Sequence, residues 1–201
     1  MPFDVRPVLL ENTWVRLEPL QPHHADALFA IGQHAGDWAW MPHGCFTSIE
    51  QTRSWIADAL ALQEKGEQVS FVIIDRNSGA VAGSTRFLNI RRRDRGLEIG
   101  WTWLGRDFQR SAVNTATKLL LLQHAFDTLG ALRVELKTDA RNLRSQAAIA
   151  RLGATREGVF RRHMIVQDGV VRDTVYFSIT DLDWPRVRDG LLQKLGANNT
   201  A

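Results

Sequence analysis

The sequence predicts an α/β (α+β) fold, a mixed sheet covered by helices. Three observations predict it. Strand-like and helix-like runs follow one another in the order β-α-α-β-β-β-α-β-α-β-β-α. A meander of three strands is followed by a strand-helix-strand crossover, and such crossovers imply a parallel pair inside an otherwise antiparallel arrangement. The chain is 201 residues long with 44% hydrophobic and 23% charged residues, which suits one soluble domain with a substantial core.

The elements are justified in order. Trp14 to Leu20 alternates as a first strand, and Pro22 to Gln33 carries Ala25, Leu28, Phe29 and Gly32 at helical spacing. Thr47 with Glu50 three residues later forms a capping-box pattern for a second helix, which Gly66 stops after Lys65. Val69–Asp75, Val81–Ile90 and Leu97–Leu104 read as strands, the first two joined by the turn Asn77-Ser78-Gly79. The run Arg91-Arg92-Arg93-Asp94-Arg95 reads as a solvated hairpin turn or as a basic rim for an acidic partner. A helix over about Asn114–Leu129 is apolar on more than one side, which implies deep packing. Leu132–Thr138 is a strand, and Asn142–Leu152 a helix closed by Gly153. Thr155–Val166 and Val170–Thr180 form a hairpin around Asp168-Gly169, followed by a helix over about 181–195. No boundary divides the chain, so 1–201 is expected to be a single domain with its core over about 14–180.

Composition excludes several function classes. A single cysteine, Cys45, rules out an internal disulfide framework and fits a reducing compartment. No apolar run reaches the roughly 20 residues that span a bilayer, and the N-terminus carries no signal-peptide core, so a cytoplasmic location without membrane attachment is expected. A net charge of +3 is too mild to imply nucleic acid, and no recognition motif supports it. The six histidines and Cys45 show no metal-ligand spacing.

The chemistry concentrates at one strand-loop-helix. After the strand ending at Leu104 comes a short polar turn and then the buried helix. Unpaired N–H groups and the dipole at such a helix start favour a phosphate. Ser111 and Ala112 are small enough to let a pyrophosphate approach, and Arg106 and Arg110 can bind it. Neither a Walker loop nor a dinucleotide glycine fingerprint is present. On these residues alone, a plain connection remains equally open.

Glu98-Ile-Gly-Trp-Thr-Trp-Leu104 followed by Gln109-Arg-Ser-Ala-Val-Asn114-Thr115 resembles the coenzyme A loop of GNAT N-acetyltransferases, with Ala112 and Asn114 where glycines are usual. Asn142-Leu-Arg-Ser145 through Leu152-Gly153, continued by Glu157-Gly158, resembles a second segment of the Rim-type (RimJ/RimL, ribosomal-protein N-terminal) branch, with Ala154 in place of an aromatic. The likeness extends from about Trp14 to Thr180. It implies a mostly antiparallel sheet flanked by helices and split between the fourth and fifth strands, with acetyl-CoA as co-substrate and no metal.

The resemblance also implies roles. The coenzyme would contact Trp103, Leu104, Gln109, Arg110, Ser111, Ala112, Val113, Asn114, Thr115, Asn142 and Ser145, its pantetheine pairing with exposed backbone in the split. Asn142 equally suits a helix cap. Ser145 would donate to the departing thiolate. The glutamate expected near the acceptor is Met164 here, so the base is sought at Glu98, which could instead pair with the Arg91–Arg95 turn, or at His163. Trp38, Trp40 and Met41 are candidate acceptor walls or core. The implied function is acetyl transfer to a primary amine, on a protein N-terminus or a small molecule, by direct attack in a ternary complex. The alternative is a non-catalytic acyl-CoA-binding sensor or scaffold. Relatives of this kind suggest a homodimer.

Overall fold

A computed structural model describes residues 3–198. All eight strands belong to one sheet in the order β1-β2-β3-β4-β5-β6-β8-β7. These are β1 (Leu10–Glu11), β2 (Val15–Pro19), β3 (Gln68–Asp75), β4 (Val81–Arg91), β5 (Gly96–Leu104), β6 (Arg133–Asp139), β7 (Thr155–Ile165) and β8 (Val171–Thr180). Every pairing is antiparallel except β5 with β6. The helices are α1 (Ala25–Ile31), α2 (Ile49–Glu64), α3 (Ala112–Gln123), α4 (Leu143–Arg151) and α5 (Trp184–Asn198). The two-residue β1 was not expected from sequence, so the predicted fourth and fifth strands are β5 and β6.

Two hydrophobic layers sandwich the sheet. Phe71, Phe87, Leu97, Val134 and Val175 face α3, α4 and α5, packing on Leu121, Ile149 and Leu191. On the other face Val72, Ile74 and Trp103 meet Leu28, Trp55 and Ile56 of α1 and α2. Strand alternation assigns each residue to one layer, which is why β3 is buried along nearly its whole length.

Local boundaries differ from the sequence reading where caps decide them. Ser48, not Thr47, caps α2 by accepting from the Gln51 N–H at 3.2 Å. Thr47 instead bonds the Gln51 side chain at 2.7 and 3.0 Å. α3 starts at Ala112 because the Ser111 hydroxyl accepts from the Val113 N–H, and its last turn widens into a π-helical segment, His124–Thr128. The turn of the late hairpin has Asp168 at φ 57° and Gly169 at φ 73°, the left-handed pair that an Asp-Gly turn favours.

The decisive feature is the brevity of the β5–β6 pairing. Only Gly96, Leu97 and Glu98 pair, with Arg133, Val134 and Glu135. Beyond Glu98 the strands part. β5 is bent away by a bulge at Trp101 and Thr102, which together face Thr85 across the ladder, with Trp101 at φ 52°. The result is a V-shaped split on the parallel pair.

Candidate active site

The split opens into a cleft of about 560 Å³ that passes between the two helix layers. It is lined by Leu104, Gln109 and Asn114 around the start of α3, by Asn142 and Ser145 from the start of α4, by Leu88, Glu98, Lys137 and Arg172 from the strands, and by Trp40, Met41 and Pro42 from the loop after α1.

The loop before α3 is tightly held. Gln109 Nε2 donates to Leu104 O and to Asp37 Oδ1, both at 3.0 Å, and Arg144 donates to Gln109 Oε1 at 2.9 Å. Ala112 and Asn114, the two positions departing from glycine, are ordinary helical residues. The left-handed backbone falls at Arg110, φ 61°. Arg110 and Ser111 are exposed. The Val113 side chain is in the core, 4% exposed, so only its backbone belongs to the loop. Thr115 and Ala112 do not line the cleft, whereas Trp103, Leu104, Gln109, Asn114, Asn142 and Ser145 do. Asn142 is a helix cap, its Oδ1 accepting from the Ser145 N–H at 3.0 Å. That leaves its amide NH2 and the Ser145 hydroxyl without a protein partner among the described residues.

Glu98 is 1% exposed. One carboxylate oxygen accepts from Asn89 Nδ2 at 2.7 Å and pairs with Lys137 Nζ at 3.0 Å. The expected pairing with the Arg91–Arg95 turn does not form, because Arg91 is bidentate on Glu135. His163 does not line the cleft. Its Nδ1 lies 3.1 Å from Thr174 Oγ1 and its Nε2 3.5 Å from the Tyr176 hydroxyl. Desolvation, helped by Lys137 and Arg172, holds its pKa below the usual histidine value.

The aromatic loop divides. Trp38, read as a possible acceptor wall, is 1% exposed. It packs on Phe46 and Trp103 and donates its indole N–H to Gly32 O at 2.8 Å. Its bulk fills the core, which corrects that expectation. Trp40 and Met41 do line the cleft, with Trp40 under the Arg141 guanidinium at 5.3 Å.

Sequence reasoning missed Lys118, Lys137 and Arg172. Lys118, one helical turn beyond Asn114, lines the cleft and donates to Thr102 Oγ1 at 2.7 Å. Among the described residues no carboxylate pairs with it, and burial pushes its pKa down to about 7. The available signal was a lone cation in the apolar run Thr117–Leu122. Outside the cleft, folding brings ligand atoms of Glu18, His23 and His24 within 4.8 Å of one another, a grouping that sequence spacing did not suggest. No helix among the described residues is long and apolar enough to cross a membrane.

The cleft combines a helix start suited to phosphate, strand edges left unpaired beyond Glu98, and an acid and a hydroxyl. That set can hold a long anionic thioester and bring a second molecule to it from the α1–α2 side. Comparison with known proteins agrees. The family described as "Acetyltransferase (GNAT) domain" matches residues 15–155. A solved GCN5-related N-acetyltransferase from Brucella melitensis is 31% identical, with a TM-score of 0.90 over 96% of this chain and 87% of that one. The Bacillus subtilis (strain 168) protein named "Putative ribosomal N-acetyltransferase YdaF" is 30% identical over 106 residues, 53% of this chain, and the chain spans 57% of that relative's length. Mycobacterium smegmatis RimJ, solved in complex with CoA-disulfide, shares the fold at 23% identity and a TM-score of 0.78, covering 94% and 97% of the two chains.

Proposed function

The chain belongs to the acetyltransferase (GNAT) domain family, and from that premise we propose that it moves an acetyl group from acetyl-CoA to a primary amine within a ternary complex. The observation that carries this reading is the split itself: β5 leaves β6 at Glu98, beside a helix start held open by Gln109 and Ser111. The coenzyme's pyrophosphate would sit on the N–H groups at the start of α3, with Arg106 and Arg110 near it. Its pantetheine would lie along the free edge of β5 from Leu104 toward Trp101, with Asn142 reaching it from α4.

The amine nitrogen attacks the thioester carbonyl, the C–S bond breaks, and coenzyme A leaves as a thiolate. An N–H of the bulged segment around Trp101–Leu104 would steady the oxyanion. The Ser145 hydroxyl donates a hydrogen bond to the departing sulfur and keeps its own proton; the second proton of the nitrogen, released as the tetrahedral intermediate collapses, reaches the thiolate through water. Glu98, already hydrogen-bonded to Asn89 and paired with Lys137, takes the ammonium proton through water, with His163 as the alternative base behind Tyr176. Trp40 and Met41 wall the acceptor. The acceptor class is a protein N-terminus or a small amine, the former suggested by the ribosomal names of relatives. One cytoplasmic domain over 1–201, acting as a homodimer, completes the reading.

The test is titration calorimetry with acetyl-CoA, followed by an amine screen read as released thiol. Ser145→Ala and Glu98→Gln should each lower kcat roughly a hundredfold while acetyl-CoA affinity stays within about threefold. Saturable binding with no turnover on any amine would support a non-catalytic acyl-CoA sensor, the reading that Met164 in place of a carboxylate favours.

A further inference from the structure

Arg172 is the cleft residue for which the proposed reaction has no use. It stands on β8 opposite Met164 of β7 and is only 5% exposed. Its Nε donates to Thr174 Oγ1 at 3.0 Å, and its two terminal nitrogens make no hydrogen bond to the protein among the described residues. The nearby carboxylates are engaged elsewhere: Asp139 is held by Arg141 through two side-chain bonds, and Glu98 by Lys137 and Asn89. Asp139 and Glu98 act on Arg172 through space, yet no carboxylate forms a salt bridge with it among the described residues, so a guanidinium this buried still favours an anion at its free nitrogens. Its planar fork suits a carboxylate, and the other guanidinium of the cleft, Arg144, is held by Gln109.

The surroundings narrow the ligand further. Leu88, Trp40, Met41, Pro42 and Met164 line the same cleft as Arg172 and the Glu98–Lys137 pair, and Met164 lies directly opposite Arg172 on the paired strand. The Trp40 loop is also tied down. Gln167, on the hairpin turn three residues beyond Met164, reaches the carbonyls of Trp38, Met41 and His43 with its Nε2, at 2.8, 2.7 and 2.8 Å. These contacts strap the Trp40 loop to the late hairpin across the acceptor side. A compact ligand fits beneath such a bridge better than a folded protein's terminus.

We propose that the acceptor is a small amino acid with an apolar side chain, whose carboxylate is read by Arg172 while its amine lies toward Glu98. The inference rests on the acetyl-transfer reading and selects the small-molecule acceptor within it. Arg172 is then a specificity-determining residue, and Gln167 holds the wall that limits acceptor size.

The test is calorimetry on the full chain saturated with coenzyme A. The probes are L-methionine, L-methioninamide, 3-(methylthio)propylamine and the tripeptide Met-Ala-Ala. Methionine is expected to bind at least tenfold more tightly than each of the other three, and Arg172→Gln should bring methionine and its amide within about twofold. Equal or tighter binding of the amide or the tripeptide, or no methionine binding, overturns the proposal. So does a preference that survives in Arg172→Gln. If that variant does not fold by circular dichroism, the wild-type ranking decides alone. Failure of the acetyl-transfer reading shows separately, as no release of thiol from acetyl-CoA with any amine, whereas the ranking of the four probes by binding tests the role of Arg172 whether or not turnover occurs.

Discussion

Two tryptophans two residues apart show how burial separates roles that sequence leaves joined. Trp38 is 1% exposed and Trp40 39%. Truncating Trp38 empties a packed space between Phe46 and Trp103, so Trp38→Ala should lose about 3–5 kcal/mol in denaturant unfolding. Trp40→Ala should change stability by less than about 1 kcal/mol yet raise the acceptor KM, measured with acetyl-CoA saturating. Lys118 is the second residue with a clear expectation. Its folded pKa, about 7, lies below the ordinary 10.5 because burial disfavours the ammonium. Between those values the unfolded chain holds more protons than the folded one, so this group's contribution to stability rises with pH across that window. Below pH 7 the whole desolvation penalty remains. Lys118→Met should therefore raise the melting temperature at pH 7, and its advantage over the wild type should shrink steadily toward pH 10. A gap that stays constant with pH would show that the ammonium is as well solvated in the folded chain as in the unfolded one.

At the level of elements, the site depends on how β4 and β5 meet. Gly83 on β4 pairs with Leu104, and a Cβ there would lie 2.1 Å from the Trp103 carbonyl oxygen. Backbone cannot yield to a methyl group as a flexible side chain can. Gly83→Ala should cost about 1–3 kcal/mol and weaken acetyl-CoA binding, because the strain falls on the Trp103–Leu104 segment along which the pantetheine is proposed to lie. Calorimetry at a temperature where the variant is fully folded separates the two effects. The same ladder explains which elements were readable beforehand. β3, β4, β5 and the late hairpin follow strong alternation or continuous apolar runs, and their predicted spans agree within one or two residues. The starts of α2 and α3 shifted because Ser48 and Ser111 lie in extended backbone that presents the hydroxyl to the next turn. Neighbouring Thr47 and Asn114 offer similar chemistry on paper.

Across the whole molecule, Gln167 joins segments more than 120 positions apart, bonding the carbonyls of Trp38, Met41 and His43. Gln167→Ala should leave global unfolding nearly unchanged but speed amide exchange across residues 36–44, measured by hydrogen exchange, since one side chain supplies that cross-cleft tie. Protection that stays at the wild-type level would mean that Trp38 and Phe46 alone anchor the loop. The sequence by itself determined the order of elements, the strand-loop-helix that opens α3, and Ser145, Asn142 and Glu98 as residues at the cleft, because periodicity, caps and local motifs are properties of neighbouring positions. Only the tertiary structure decided that Trp38 is core, that Glu98 pairs with Lys137, that the left-handed turn falls at Arg110, and that Lys118 and Arg172 face the cleft without a carboxylate. Each of those depends on register between strands and helices distant in the chain. Register fixes which face a side chain meets and whether its charge finds a partner there.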